Sequence, residues 1–146
     1  MTTDTHRFYE QVECLKNILR NILIEYQKNL EVEELDEFFE KLIEVKKYNM
    51  RKPIEIFYEK CVYPYIPFLV NKDDKFFINE AEKHIDDLND KDEEKERGIS
   101  ILEHIECVWT LLTDEKKKNI WKYVLVICIL SERVCGGVVL AESLKK

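Results

Sequence analysis

Glycine and proline are nearly missing from this chain, with three of each in 146 residues and no glycine before Gly98. Strands joined by tight hairpins want Asn-Gly or Asp-Gly pairs, and neither dipeptide occurs. That lack excludes a succession of β-hairpins and favours long helices with short polar connections. No glycine-rich loop exists to cradle a phosphate, and none of Ser100, Ser131 and Ser143 lies in a Gly-x-Ser-x-Gly elbow. The di-iron signature of helical bundles requires a glutamate three residues before a histidine, but Ala81 stands before His84 and Ile101 before His104. No apolar run approaches the roughly 20 residues of a membrane span. A basic segment followed by an apolar one is absent from the N-terminus, so no signal peptide is read. Positive charge is not in excess either, since a net charge of −7 argues against a generic phosphate-binding surface.

What is present is a core and a solvated surface: 45% of residues are hydrophobic and 36% charged. Residues 1–146 fit one domain long enough to bury most of its apolar surface. The five cysteines (Cys14, Cys61, Cys107, Cys128, Cys135) are an odd number and lie mostly in apolar runs. They read as reduced thiols acting as small hydrophobes, which points to a reducing compartment, cytosol or nucleus.

The pattern along the chain is helical. Phe8, Val12, Leu15, Leu19, Ile22 and Tyr26 follow alternating steps of four and three, which predicts a helix from about Thr5 to Lys28, capped by Asp4 or Thr5. A second helix is expected over Val32 to Tyr48 through Leu35, Phe38, Leu42 and Val45, with lysines suiting its C-terminal dipole. Pro53 suits the start of a third, with Ile54, Phe57, Cys61 and Val62 facing inward. The stretch Tyr63 to Val70 carries Pro64 and Pro67, and the residue before each is expected outside helical geometry. This aromatic elbow reverses the chain. Asp73 or Asp74 then caps a fourth helix through Phe76, Phe77, Ala81 and Leu88. Asn89 to Arg97 is the polar low point and reads as a loop, followed by a helix carrying Ile101, Ile105, Val108, Trp109 and Leu112.

The stretch Thr113 to Gly137 combines a helix-start threonine, Lys116, Lys117, Lys118 and Lys122, eight hydrophobic residues from Tyr123 to Leu130, and a glycine stop. Such a helix is apolar on nearly every side and asks to be wrapped by others. The fold read from these elements is all-α, a single-domain bundle of five to seven helices around that nearly all-apolar C-terminal helix.

Functional chemistry is sparse. His104 and Cys107 have a spacing that places two metal ligands on one helix face, but no second pair completes a site. A metal- or thiol-dependent enzyme is the weakest reading, and no catalytic, cofactor or metal residue is assigned. Lys46, Lys47, Arg51 and Lys52 form one basic cluster, and Lys116, Lys117, Lys118 and Lys122 form another. Brought together by the fold, they would meet phosphates; apart, they are dipole complement and solvated face. The aromatics Phe39, Tyr63, Tyr65, Phe68 and Phe77 are candidate contacts for a protein partner, because neighbouring aromatics are hard to bury together.

Three segments taken in order carry a family resemblance: Phe57 to Tyr65, Asn71 to Phe77, and Trp109 to Leu112 leading into Lys118 to Tyr123. Aromatic-proline elbow, acidic residues before Phe76-Phe77, and a terminal Ile120-Trp121-Lys122-Tyr123 helix together resemble small uncharacterised helical proteins of nucleocytoplasmic large DNA viruses, the iridovirus and giant-virus groups. The resemblance spans about Phe57 to Ser131. It implies a viral protein acting in the cytoplasm or nucleus of an infected cell and carries no established activity. The leading expectation is therefore a non-enzymatic module that contacts a host or viral protein, or itself. A nucleic-acid-associated accessory factor is the alternative.

Overall fold

In the computed structural model, which describes residues 3–74, 105 and 108–145, Thr3 starts the first helix, not Asp4 or Thr5. Thr3 is extended, and its hydroxyl accepts the His6 N–H at 3.2 Å, satisfying a donor that the first turn leaves unpaired. Helix α1 runs Asp4–Glu25 and buries Phe8, Val12, Leu15, Leu19 and Ile22, the four-three stripe read from the sequence. It stops earlier than expected. Gln27 turns left-handed (φ 58°), while the Lys28 N–H reaches the Leu23 carbonyl at 2.8 Å and the Gln27 N–H the Ile24 carbonyl at 3.0 Å. This is a Schellman ending built without glycine.

Helix α2 follows at Asn29–Tyr48 and buries Leu35, Phe38 and Leu42. Helix α3 is Lys52–Phe57, with Pro53 in its first turn and Asn49 Oδ1 accepting the N–H groups of Arg51 and Lys52 at 3.2 and 3.1 Å. A π turn (Tyr58–Val62), a 3-10 turn (Tyr63–Tyr65) and α4 (Ile66–Val70) continue it. Helix α5 spans Asp114–Val134, and α6 spans Val139–Leu144. The molecule is all-α, with no strand among the described residues. The expected fourth helix through Phe76 and Phe77, the Asn89–Arg97 loop, and His104 and Cys107 lie outside the described residues.

Helix α1 is the shared wall. It packs on both α2 and α5, while α2 and α5 meet each other at most peripherally. Both pairings are antiparallel. Near the start of α1, Tyr9 gives its hydroxyl to the Met50 carbonyl, and Phe8 meets Phe57 edge-on at 5.8 Å. Past its end, Tyr26 gives its hydroxyl to the Leu111 carbonyl at 3.0 Å. Between these ties lie Leu15, Leu19, Leu23, Leu35 and Ile120, nearly or fully buried. Each contributes about 2 kcal/mol by leaving water.

The elbow departs from expectation in an informative way. Tyr63 and Ile66, the residues before Pro64 and Pro67, are both right-handed helical (φ/ψ −55/−48° and −50/−44°). The distortion sits one residue earlier, at Val62 (−109/−61°) and Tyr65 (−118/17°). A proline lacks the N–H for the helical ladder and crowds the carbonyl four residues back. Here the chain widens before Pro64, so that the Tyr63 N–H bonds the Tyr58 carbonyl five residues back. Each proline then opens a new short helical segment.

Helix α5 has two sides. Ile120, Trp121, Val124, Ile127, Cys128 and Leu130 are buried against α1, α3, the π turn and α6. Lys118, Lys122, Val126 and Arg133 face solvent, with Tyr123, Leu125 and Ile129 half-buried. Within the run Tyr123–Leu130, Val126 is the one exposed residue, at 38%, while Tyr123, Leu125 and Ile129 are half-buried and packed against the core. Among the described residues, no helix is long and apolar enough to cross a membrane.

Candidate functional site

The C-terminal end of α5 carries an arrangement that the sequence does not announce. Gly136 is left-handed (φ 80°), the Gly137 N–H bonds the Glu132 carbonyl at 2.9 Å, and the Gly136 N–H bonds the Arg133 carbonyl at 3.1 Å. The glycine stop is thus another Schellman ending. It turns the chain so that the fully buried Glu132 side chain meets the start of α6. Its carboxylate accepts the Leu140 N–H at 2.8 Å and the Ala141 N–H at 3.0 Å. The Tyr58 phenol lies close enough to this carboxylate to feel its charge.

Two backbone donors therefore replace part of the water that Glu132 has lost, and the positive end of α6 adds to their effect. Burial and the adjacent carboxylate both push the Tyr58 phenol upward in pKa, burial more strongly. A Cβ on Gly137 would stand 2.8 Å from the Tyr58 hydroxyl oxygen and 3.0 Å from Glu132 Cγ. A side chain at this position would force the Tyr58 and Glu132 side chains to give way.

On the outside of this lock lies an apolar patch. Tyr63 is 63% exposed and its ring tilts against that of Tyr58 at 6.2 Å. Val138 and Val139, which follow Gly137, are 56% and 50% exposed. Tyr58 joins the two halves, its ring touching Tyr63 and its hydroxyl standing beside Gly137. Tyr65 and Phe68, tilted rings 6.1 Å apart, are half-buried and packed on the core. Phe39 is also half-buried, with the Lys16 ammonium 5.0 Å above its ring, so it belongs to the α1–α2 seam. Phe77 lies outside the described residues. Of the four described aromatics singled out from the sequence, Tyr63 is the one presented to solvent. Glu132, Tyr58, Val138 and Val139 went unread as site residues, and a lone glutamate after an apolar run ahead of Gly136-Gly137 was the available signal.

The two basic clusters do not converge. Arg51 donates to the Val134 carbonyl at 2.9 Å and pairs with Glu55 at 2.7 Å, which fixes the first cluster at the C-terminal end of α5. Lys116 pairs with Glu25 at 3.1 Å and lies 5.9 Å from the Tyr26 ring centre, which fixes the second cluster at the N-terminal end. Residues 116 and 134 are separated by about 27 Å of helix. Lys117 lies 5.5 Å from the Trp109 ring centre. Lys116 and Lys117 thus tie the start of α5 to its neighbours, and Lys118 and Lys122 are the exposed members.

Cys61 and Cys128 are fully buried, and burial drives both thiols far above their ordinary range. Cys14 is exposed and Cys135 half-buried, so the reading of the cysteines as core filler holds for two of the four described. None of the four is joined in a disulfide. Among the described residues no three His, Cys, Asp or Glu side chains gather as a metal would require. Comparison with family models, curated proteins and solved structures finds no match to this chain.

Proposed function

We propose that the chain is a non-enzymatic protein-interaction module and that its contact surface is the patch of Tyr63, Val138 and Val139. The observation that carries this reading is the pairing of exposed apolar side chains with a rigid support. Tyr63 leans on Tyr58, and the valines follow a glycine that the Tyr58–Glu132 lock holds in place. An aromatic held in one orientation loses little entropy on binding, which is how interface anchors gain affinity. The cellular setting follows from the resemblance alone: a viral protein meeting a host or viral partner inside an infected cell.

The test compares wild type with the Tyr63→Ser/Val139→Ser double variant in affinity capture from infected cells. A partner recovered by wild type and lost with the variant, at unchanged melting temperature, supports the reading. Equal recovery by both proteins sinks it. The nucleic-acid reading now rests on Lys118 and Lys122, and predicts binding that weakens steeply with salt and falls when both are replaced. A metal- or thiol-dependent enzyme would have to draw on His104 and Cys107.

A further inference from the structure

The six-residue helix α6 is fastened to the rest of the molecule at few points. Leu140 is its one fully buried side chain, Ala141, Ser143 and Leu144 are half-buried, and Val139 and Glu142 are exposed. It packs mainly on α4 and α5. A helix this short does not persist alone in water, so its shape depends on its seat. Among the described residues, Glu132 is the one side chain that hydrogen-bonds α6, taking the Leu140 and Ala141 N–H groups at 2.8 and 3.0 Å. Two glycines precede the segment, and the first, Gly136, is left-handed with open space around its Cα. Helix α1, by contrast, buries seven side chains along its length.

We infer that residues 138–144 form a clasp, which leaves its seat and returns as a unit while α1, α2 and α5 stay packed. The Glu132 carboxylate sets how often it does so. Release breaks two hydrogen bonds and exposes Leu140, but it reaches nothing in the α1 seam. Water entering from the vacated side takes the place of the two donors that the carboxylate gives up. An element held by so few buried contacts opens at a fraction of the free energy of global unfolding. The consequence for function rests on the elbow reading: Val138 and Val139 ride on the clasp, and Tyr63 does not. The contact surface is then complete only in the closed form, and apparent affinity falls with the closed fraction. By linkage, a partner on the patch holds the clasp shut.

Native-state hydrogen exchange of the full chain, read amide by amide by NMR, tests this without a partner. The Leu140 and Ala141 amides should be protected, yet exchange about tenfold or more faster than those of Leu15, Leu19 and Leu23, and low urea should accelerate them less. Two variants then separate clasp from core. Ile22→Val weakens packing that the open form keeps, so it should speed the α1 amides about fivefold and leave the α6 amides unchanged. Glu132→Gln weakens the closed form, from which every opening starts, so it should speed both groups about tenfold. An Ile22→Val effect equal on both groups means that α6 opens only with the whole molecule, and overturns the clasp. So does exchange of Leu140 and Ala141 at the rate of an unstructured peptide, or a Glu132→Gln effect on them below about twofold. None of these outcomes touches the capture comparison with Tyr63→Ser/Val139→Ser, which judges the patch by itself.

Discussion

A carboxylate taken out of water loses several kcal/mol of hydration, and what replaces that hydration decides whether the position is tolerable. Among the described residues Glu132 makes no ion pair; its carboxylate accepts the Leu140 and Ala141 N–H groups. Replacing it by alanine strands those donors and empties the space, so Glu132→Ala should destabilise by about 3 kcal/mol in urea unfolding. Glu132→Gln keeps one acceptor but sets an amide NH2 against a donor, and should cost about half as much. A near-zero cost for Glu132→Gln beside a full cost for Glu132→Ala would mean that side-chain volume, not the carboxylate's hydrogen bonding, holds α6. The opposite sign is expected at Gln27 and Lys72, left-handed at φ 58° and 50° where an L side chain is strained. Lys72 closes α4 in the same Schellman pattern, its N–H bonding the Leu69 carbonyl and the Asp73 N–H the Phe68 carbonyl. Gln27→Gly and Lys72→Gly should each stabilise by about 0.5 kcal/mol, read as a shifted urea midpoint with unchanged slope.

At the scale of the element, α5 separates composition from exposure. Eight consecutive hydrophobic residues give no hint that one side stays wet, because sequence pattern marks a face only where polar residues interrupt it. The interruptions lie outside the run, at Lys118, Lys122 and Arg133, and their spacing continues through Val126 and Ile129. Ile127→Ala should therefore cost about 3 kcal/mol, since Ile127 is 4% exposed. Val126→Ala, one residue away, should cost less than about 0.5 kcal/mol. Thermal melts of the two variants check the contrast, and similar shifts would show α5 wrapped all round.

The same reasoning sets how much of the fold was legible. Helices α1 and α2 were readable because their apolar residues recur against polar ones, and Leu15, Leu19, Leu35 and Leu42 are buried as their periodicity requires. The C-terminal end of α1 was not, because the turn after it uses Gln27 in a glycine's conformation, whereas α2 ends at Tyr48 as its pattern indicates. The prolines of the elbow named a disturbance but not its form, since a helix can admit a proline by kinking, by ending or, as before Pro64, by widening. Of the candidate site, Tyr63 was legible as an aromatic beside a proline. The Glu132 lock was not, because it joins Tyr58 to a turn far along the chain.

The molecule as a whole holds a group of protons that the unfolded chain gives up more readily. Cys61 and Cys128 are pushed far above their ordinary 9.0 by burial, and Tyr9 far above its ordinary 10.0 for the same reason. Each group keeps its proton in the folded state at a pH where the unfolded chain loses it. By linkage, stability is then complete below pH 9 and falls as pH rises through 9 and 10, the slope reaching about 1.4 kcal/mol per pH unit for each fully titrating group. Two thiols dominate the first part of that window, so urea unfolding should show a loss of about 3 kcal/mol between pH 8 and pH 10. The Cys61→Ala/Cys128→Ala variant starts from a lower plateau, because it leaves small cavities, but its curve should be nearly flat over the same range. An aromatic disulfide reagent gives an independent reading at pH 8: exposed Cys14 should react at once, and Cys61 and Cys128 only as fast as the molecule opens. If wild type holds its stability to pH 10 while the reagent reaches both buried thiols quickly, then water enters between the π turn and α5. The helix pairing that seats the Tyr58–Glu132 lock would then be looser than its burial implies.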